Sequence, residues 1–184
     1  MNITAMYFSG TGTTKKVTAA IADELTEIKI SQDKTAADEN PGSIKAGIKP
    51  WQRAEDVDFT PPAARREIYR FTPDDLVVFG VPVIAGRVPN VLLKFLDTLQ
   101  GGGALAVLVV LYGNRNFDDA LIELRNILQD RGFYAIGAAA FIGEHSFSRI
   151  LAAGRPDSSD MELSRDFARK LAGKIRRLGA AGLR

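Results

Sequence analysis

Four stretches of this 184-residue chain are continuously apolar rather than alternating, Thr4 aside: residues 3–8, 76–81, 105–112 and 133–141. A strand that is apolar at every position, rather than every second one, is buried on both faces. That requires a parallel sheet with helices on each side. Segments of helical period lie between the strands: Val17, Ile21 and Leu25; Val91, Leu92, Phe95, Leu96 and Leu99; Leu121, Leu124 and Leu128; then Leu163, Phe167, Leu171, Ile175 and Leu178. Their three-to-four spacing gives each one face for the sheet. The alternation predicts an α/β chain with right-handed crossovers. A further strand is expected at about 55–59, in "AEDVDFT", or else in "EIKIS". It completes a five-stranded doubly wound parallel sheet of order 2-1-3-4-5, with helices on both faces.

Residues 29–53 fit this pattern least. They are polar, hold two prolines and two glycines, and read as an insertion into one domain spanning 1–184. Trp51, the only tryptophan, is expected to pin this segment to the body.

Composition removes several function classes. Without cysteine the chain has no disulfide, thiolate metal site, iron-sulfur cluster or cysteine nucleophile, and one histidine, His145, makes no zinc site. No metal ligand set is expected. The longest apolar runs, such as "LAVLVVLY", cover only about half of the roughly 20 residues that span a bilayer, and the first residues lack a signal-peptide pattern. The expectations are no membrane and a cytoplasmic location. A net charge of +2 is too small to imply nucleic acid. From residue 149 onward there are nine Lys or Arg against four Asp or Glu, which suits either a solvated helix complementing its dipole or a surface for an acidic partner.

In a doubly wound sheet the ligand lies outside the carboxyl ends of the strands, at the switch point. The first such loop is "YFSGTGTTKK". Ser9, Gly10, Thr11, Gly12, Thr13 and Thr14 run directly into the first helix. Backbone N–H groups at a helix start, with glycines for curvature and hydroxyls beside them, form an anion site for a phosphate. No segment has the spacing of a nucleotide P-loop, and Lys15 stands where a dinucleotide fingerprint needs glycine. Ser9-Gly10 and Val81-Pro82 occupy the places where a phospho-receiver carries acidic residues. A monophosphate ester held by neutral donors remains.

"SGTGTT" resembles the flavodoxin phosphate loop, [ST]-x-T-G-x-T. Together with "DLVVFGVPVIAGRVPN", "YGNRNFDDAL" and "IGAAAFIGEHSFS", it makes the chain similar to the flavodoxin domain of the flavodoxin-ferredoxin fusion proteins of anaerobic microbes. The resemblance covers most of the chain outside 29–53. It implies a flavodoxin-like fold, an FMN cofactor and one- or two-electron transfer. Ser9, Thr11 and Thr14 would supply hydroxyls to the phosphate, and Gly10 to Thr14 backbone donors. Pro82, Val83, Ile84, Ala85, Gly86 and Arg87, in the loop after the third expected strand, would line one side of the isoalloxazine. Tyr112, Gly113, Asn114 and Arg115 would close the other. Glu144 and His145 would stand at the same rim. No residue is assigned a catalytic role, and no nucleophile elbow accompanies "GEHS".

The chain departs from the family at two points. Ile84 occupies a position where relatives often carry an aromatic, and a pI of about 8.9 contrasts with the acidity of typical flavodoxins. The ferredoxin segments of the fusion proteins are missing, which leaves either a stand-alone protein or a piece of a longer one. Gly86 could let a peptide reorient toward flavin N5 or be an ordinary turn glycine. Arg87 and Arg115 could raise the flavin potential or pair with Asp118 or Asp119. Asn116, Asp118 and Asp119 are expected to cap the following helix. Three functions stay open: an electron carrier serving a redox partner such as a ferredoxin or reductase, an FMN-dependent NAD(P)H:quinone or flavin reductase, and a flavin-free interaction module.

Overall fold

The computed structural model describes residues 1–39, 51–148 and 150–180, the side chains of 29–39 and 178–180 excepted. The strands are β1 (Asn2–Tyr7), β2 (Gln52–Arg53), β3 (Val57–Asp58), β4 (Asp75–Pro82), β5 (Leu105–Tyr112) and β6 (Tyr134–Ile142). The helices are α1 (Thr13–Glu39), α2 (Asn90–Leu96), α3 (Ala120–Asp130) and α4 (Ser158–Ala180). All pairing between the strands is parallel, in the order β2-β1-β4-β5-β6, with β3 also on β1.

The expected second strand is thus two short strands, giving six instead of five. Met1 and Ile3 carbonyls accept the N–H groups of Gln52 and Ala54, and the Tyr7 carbonyl accepts that of Phe59. The chain bows away between these contacts. An edge strand with one neighbour has fewer ladder bonds to keep it straight, and Arg53, Glu55 and Asp56 have no buried face to fill. The alternative, "EIKIS", lies inside α1, which continues to Glu39 and so takes up the first part of the expected insertion. Residues 40–50 of that segment lie outside the described residues. Trp51 packs against the core as expected.

Alternation along the strands divides the core into two layers. Ile3, Ala5, Leu76, Val78, Val107 and Val109 meet Val17, Ile21 and Leu25 of α1 and Leu171 and Ile175 of α4. Met6, Val77, Phe79, Val81, Leu108 and Val110 meet Leu92, Phe95 and Leu96 of α2 and Leu124 and Leu128 of α3. Each fully buried Leu or Phe contributes about 1.5–3 kcal/mol of transfer free energy, so the two layers supply the dominant folding term. Val91 and Leu163, read as sheet-facing, are 62% and 59% exposed; each lies one position off the buried stripe of its helix.

Gly80 sets how closely α1 approaches the sheet. A Cβ there would stand 2.1 Å from Thr18 Oγ1 and 3.0 Å from Thr14 Cγ2. The start of α1 therefore sits directly over β4, with Thr14 and Thr18 buried. Phe59, packed 5.3 Å from Phe79 and 4.9 Å from Phe95 between ring centroids, holds the chain after β3 beside the same end of β1.

Candidate functional site

The carboxyl ends of β1, β4, β5 and β6 converge on one rim. Ser9 Oγ accepts the N–H of Lys15 at 3.0 Å, capping the first turn of α1, and the first helical bond runs from Lys16 N–H to the Gly12 carbonyl. Ser9 N–H donates to Thr60 Oγ1 at 2.8 Å. Between these bonded positions lie the N–H groups of Gly10, Thr11, Gly12, Thr13 and Thr14, which meet no acceptor among the described residues. Five consecutive unanswered donors at a helix start form an anion nest. The first turn of α1 carries no acidic residue. Thr11 and Thr13 hydroxyls lie 3.2 Å apart, and a Cβ on Gly10 or Gly12 would meet nothing within 4 Å, so the loop borders open space. Gly12 has φ +85°, which favours glycine. Lys15 and Lys16 are exposed; Lys15 Nζ stands 5.9 Å from the Tyr7 ring, and Lys16 Nζ donates to the Pro156 carbonyl at 3.0 Å.

Beyond β4, Ile84 and Arg87 exchange backbone bonds of 3.0 and 3.1 Å around Ala85 (φ +51°) and Gly86 (φ +75°), a tight turn with both central residues left-handed. The Gly86 carbonyl accepts Asp119 N–H at 3.1 Å, and a Cβ on Gly86 would lie 2.6 Å from Asp118 Oδ2. Glycine is therefore required by φ and by space. Among the described residues no donor meets the Ala85 carbonyl, so the Ala85–Gly86 peptide is the one not held. Ile84 is half exposed.

Arg87 turns away from the rim. Its Nε and Nη2 form a two-point pair with Glu123 at 3.0 and 2.7 Å, and Glu123 also accepts Val88 N–H at 2.8 Å. The Arg87 guanidinium holds the Glu123 carboxyl below the usual carboxylate range, aided by the Val88 N–H and opposed by burial. Arg115 pairs with Asp118. Both arginines are thus ion-paired, with Glu123 the partner that the sequence did not suggest.

Tyr112 lies 5.9 Å from Phe117 between ring centroids, and its carbonyl accepts Gly143 N–H at 2.9 Å. Asn114 has φ +77°. A Cβ on Gly113 would come within 2.8 Å of His145 Cα, so the loop after β5 packs against the loop after β6. A Cβ on Gly143 would in turn stand 3.5 Å from Thr13 Oγ1. The expected capping of α3 is not made by its acids. Asp119 at the N-cap makes no side-chain bond, while Asn116 Oδ1 accepts Phe117 and Asp118 N–H in a local turn, since Asp118 is drawn to Arg115 instead.

The structure brings together the phosphate loop, residues 112–115 and residues 143–145, with the 84–87 turn reaching this group through Asp118 and Asp119. A cleft of ≈ 360 Å³ is lined by Thr11, Glu144, His145, Ser146, Phe147 and Ser148. Sequence reasoning missed Thr60 and Phe147. Thr60 could have been found as the first hydroxyl after the edge strand, at the same carboxyl rim.

No protein-family model matches the sequence, and no curated protein matches it. Solved structures do. A flavodoxin from the domain Archaea is 14% identical over 96% of this chain and 99% of its own, with a TM-score of 0.57. The oxidised flavodoxin 2 of Bacillus cereus is 16% identical over 95% and 99%, also at 0.57. An NADH:FMN oxidoreductase in its apo form is 16% identical over 94% and 89%, at 0.58. At these identities the likeness establishes architecture: the chain has a flavodoxin-like α/β fold. Among the described residues no helix is long and apolar enough to cross a membrane, and no cluster of His, Asp or Glu could hold a metal ion.

Proposed function

We propose that this flavodoxin-like chain binds FMN and passes electrons to a redox partner protein. The observation that carries the reading is the run of five N–H groups from Gly10 to Thr14 without an acceptor among the described residues, beside the Ser9, Thr11 and Thr13 hydroxyls and facing open space; Thr14, expected to offer the third hydroxyl, is buried beside Gly80. This donor set fits a phosphate monoester. Ser9 spends one lone pair on Lys15 N–H and keeps its proton for a phosphate oxygen. Thr60 fixes the loop from behind through Ser9 N–H.

FMN, when bound, supplies reversible one- and two-electron chemistry; the chain holds it and sets its surroundings. In this reading the 82–87 and 112–115 loops line the ring, and Ile84 gives an aliphatic contact where relatives stack an aromatic. With Arg87 bonded to Glu123 and Arg115 to Asp118, neither guanidinium brings an unbalanced positive charge to the ring. Arg87→Ala is then expected to leave the flavin potential close to that of the wild type; a clear fall would restore Arg87 as a cation at the ring.

The test is a titration of the apoprotein with FMN and with riboflavin, followed by flavin fluorescence. Tight FMN binding with riboflavin at least about a hundredfold weaker is expected, since only FMN offers the phosphate to a charge-assisted donor set. Equal affinity for the two would overturn the phosphate-loop assignment. Steady-state NAD(P)H oxidation with a quinone separates carrier from reductase. Slow turnover supports the carrier, and turnover of several per second would make the chain an enzyme.

A further inference from the structure

The described residues of the connection between β6 and α4, 143–148 and 150–157, are held by their own polar groups. His145 Nδ1 accepts Phe147 N–H at 3.2 Å, and Ser148 Oγ accepts those of Ile150 and Leu151 at 3.2 and 3.1 Å. Glu144 Oε1 accepts Gly154 N–H at 2.8 Å, and His145 N–H reaches the Leu151 carbonyl at 3.3 Å. On this fixed loop Phe147 is 91% exposed. An exposed phenyl on a free chain end needs no explanation, but one presented by a hydrogen-bonded frame has a set position. Among the described residues, Phe147 is the only aromatic hydrocarbon face of the cleft whose other wall is Thr11 of the phosphate loop.

His145 joins this wall to the rest of the rim. Its ring meets Phe147 edge-on at 6.2 Å, and a Cβ on Gly113 would stand 3.2 Å from its Cδ2, so it abuts the loop after β5 as well. Because Nδ1 already accepts Phe147 N–H, the neutral imidazole carries its proton on Nε2 and is a donor there. One short loop thus places an aromatic face and a hydrogen-bond donor between the phosphate loop and the loop after β5.

We propose that Phe147 and His145 form a third wall of the FMN site. Phe147 shields from water the part of the bound molecule that leaves the phosphate loop, and His145 donates to it from Nε2. This rests on the FMN reading above; it adds Phe147 to the site and gives His145, whose place at the rim the resemblance already implied, a donor atom.

The experiment titrates FMN into wild-type apoprotein and into Phe147→Ala, Phe147→Trp and Ile150→Ala. Ile150 is 86% exposed on the same tip but does not line the cleft. Phe147→Ala is expected to weaken FMN about tenfold, as loss of an aromatic contact and its burial should. Phe147→Trp should retain affinity within about threefold, and Ile150→Ala should match the wild type. In a Trp51→Phe background, the tryptophan at 147 reports directly: its emission should be quenched by one equivalent of FMN and become sheltered from iodide. Unchanged affinity for Phe147→Ala, equal losses for Phe147→Ala and Ile150→Ala, or a tryptophan at 147 that stays open to iodide at FMN saturation overturns the third wall alone. Wild-type protein that takes up no FMN overturns both this and the parent reading.

Discussion

Two loops at the carboxyl edge use their backbone donors in opposite ways. Among the described residues the loop after β1 leaves five successive N–H groups unanswered, whereas the loop after β6 directs its own to Nδ1 of His145, Oγ of Ser148 and Oε1 of Glu144. A polar group left without a partner lowers stability unless water or a ligand meets it. The first loop therefore keeps its donors open to water or to a ligand, and the second uses its own to hold its side chains in place. The rim combines an open receptor with a closed frame.

The strongest way to break the contrast is Gly80→Val, which would push the start of α1, and the open loop with it, off β4. A loss of about 3 kcal/mol in urea unfolding is expected, together with loss of FMN binding. Filling the open loop should act in the other direction. FMN at about a hundred times its Kd should stabilise the protein by about 2.7 kcal/mol, seen as a raised urea midpoint, while riboflavin at the same concentration should do little. Asp160→Asn probes the closed frame, where Asp160, 4% exposed, pairs with Arg155 and accepts Asp157 N–H at 2.9 Å. It should cost about 2 kcal/mol and leave FMN affinity unchanged. Ser9→Ala removes the cap on Lys15 N–H and should cost about 1 kcal/mol, with a weaker hold on phosphate as its distinguishing effect.

Acid sharpens the comparison by the smallest amount. Hydrogen bonds from Arg155 hold the Asp160 carboxyl below its ordinary range, as those from Arg87 do for Glu123. A depressed carboxyl contributes stability that is complete above its unfolded value, about 4, and is lost as pH falls through the folded value. Urea midpoints should therefore decline below about pH 4, and Asp160→Asn should flatten that decline. The loop after β1, with no carboxylate in the first turn of α1, contributes nothing to it.

The sequence made the central strands legible because parallel strands buried on two faces leave unbroken apolar runs, as in "LVVFGV" and "LAVLVVLY". It made the phosphate loop legible because glycines and hydroxyls at a strand-helix junction have few other uses. The edge position was harder. Gln52–Arg53 and Val57–Asp58 are two residues each and only partly buried, so neither periodicity nor propensity marks them. The pairing of Arg87 with Glu123 was hidden for another reason. The two lie 36 residues apart and meet only because the turn at Ala85–Gly86 sends one side chain toward α3. Phe147 read as one more apolar residue, since exposure is a property of the folded loop and not of the letter.

The outer edge of β6 bears on a separate matter, the behaviour of the protein at high concentration. This nine-residue strand, "YAIGAAAFI", has a neighbour on one side only among the described strands, and an open edge of that length invites pairing between molecules. Lys174 of α4 reaches down and donates to the Ile136 carbonyl at 2.7 Å. One ammonium thereby meets a carbonyl at the irregular point of this strand and sets a positive charge beside it, and charge beside an edge strand disfavours pairing between molecules.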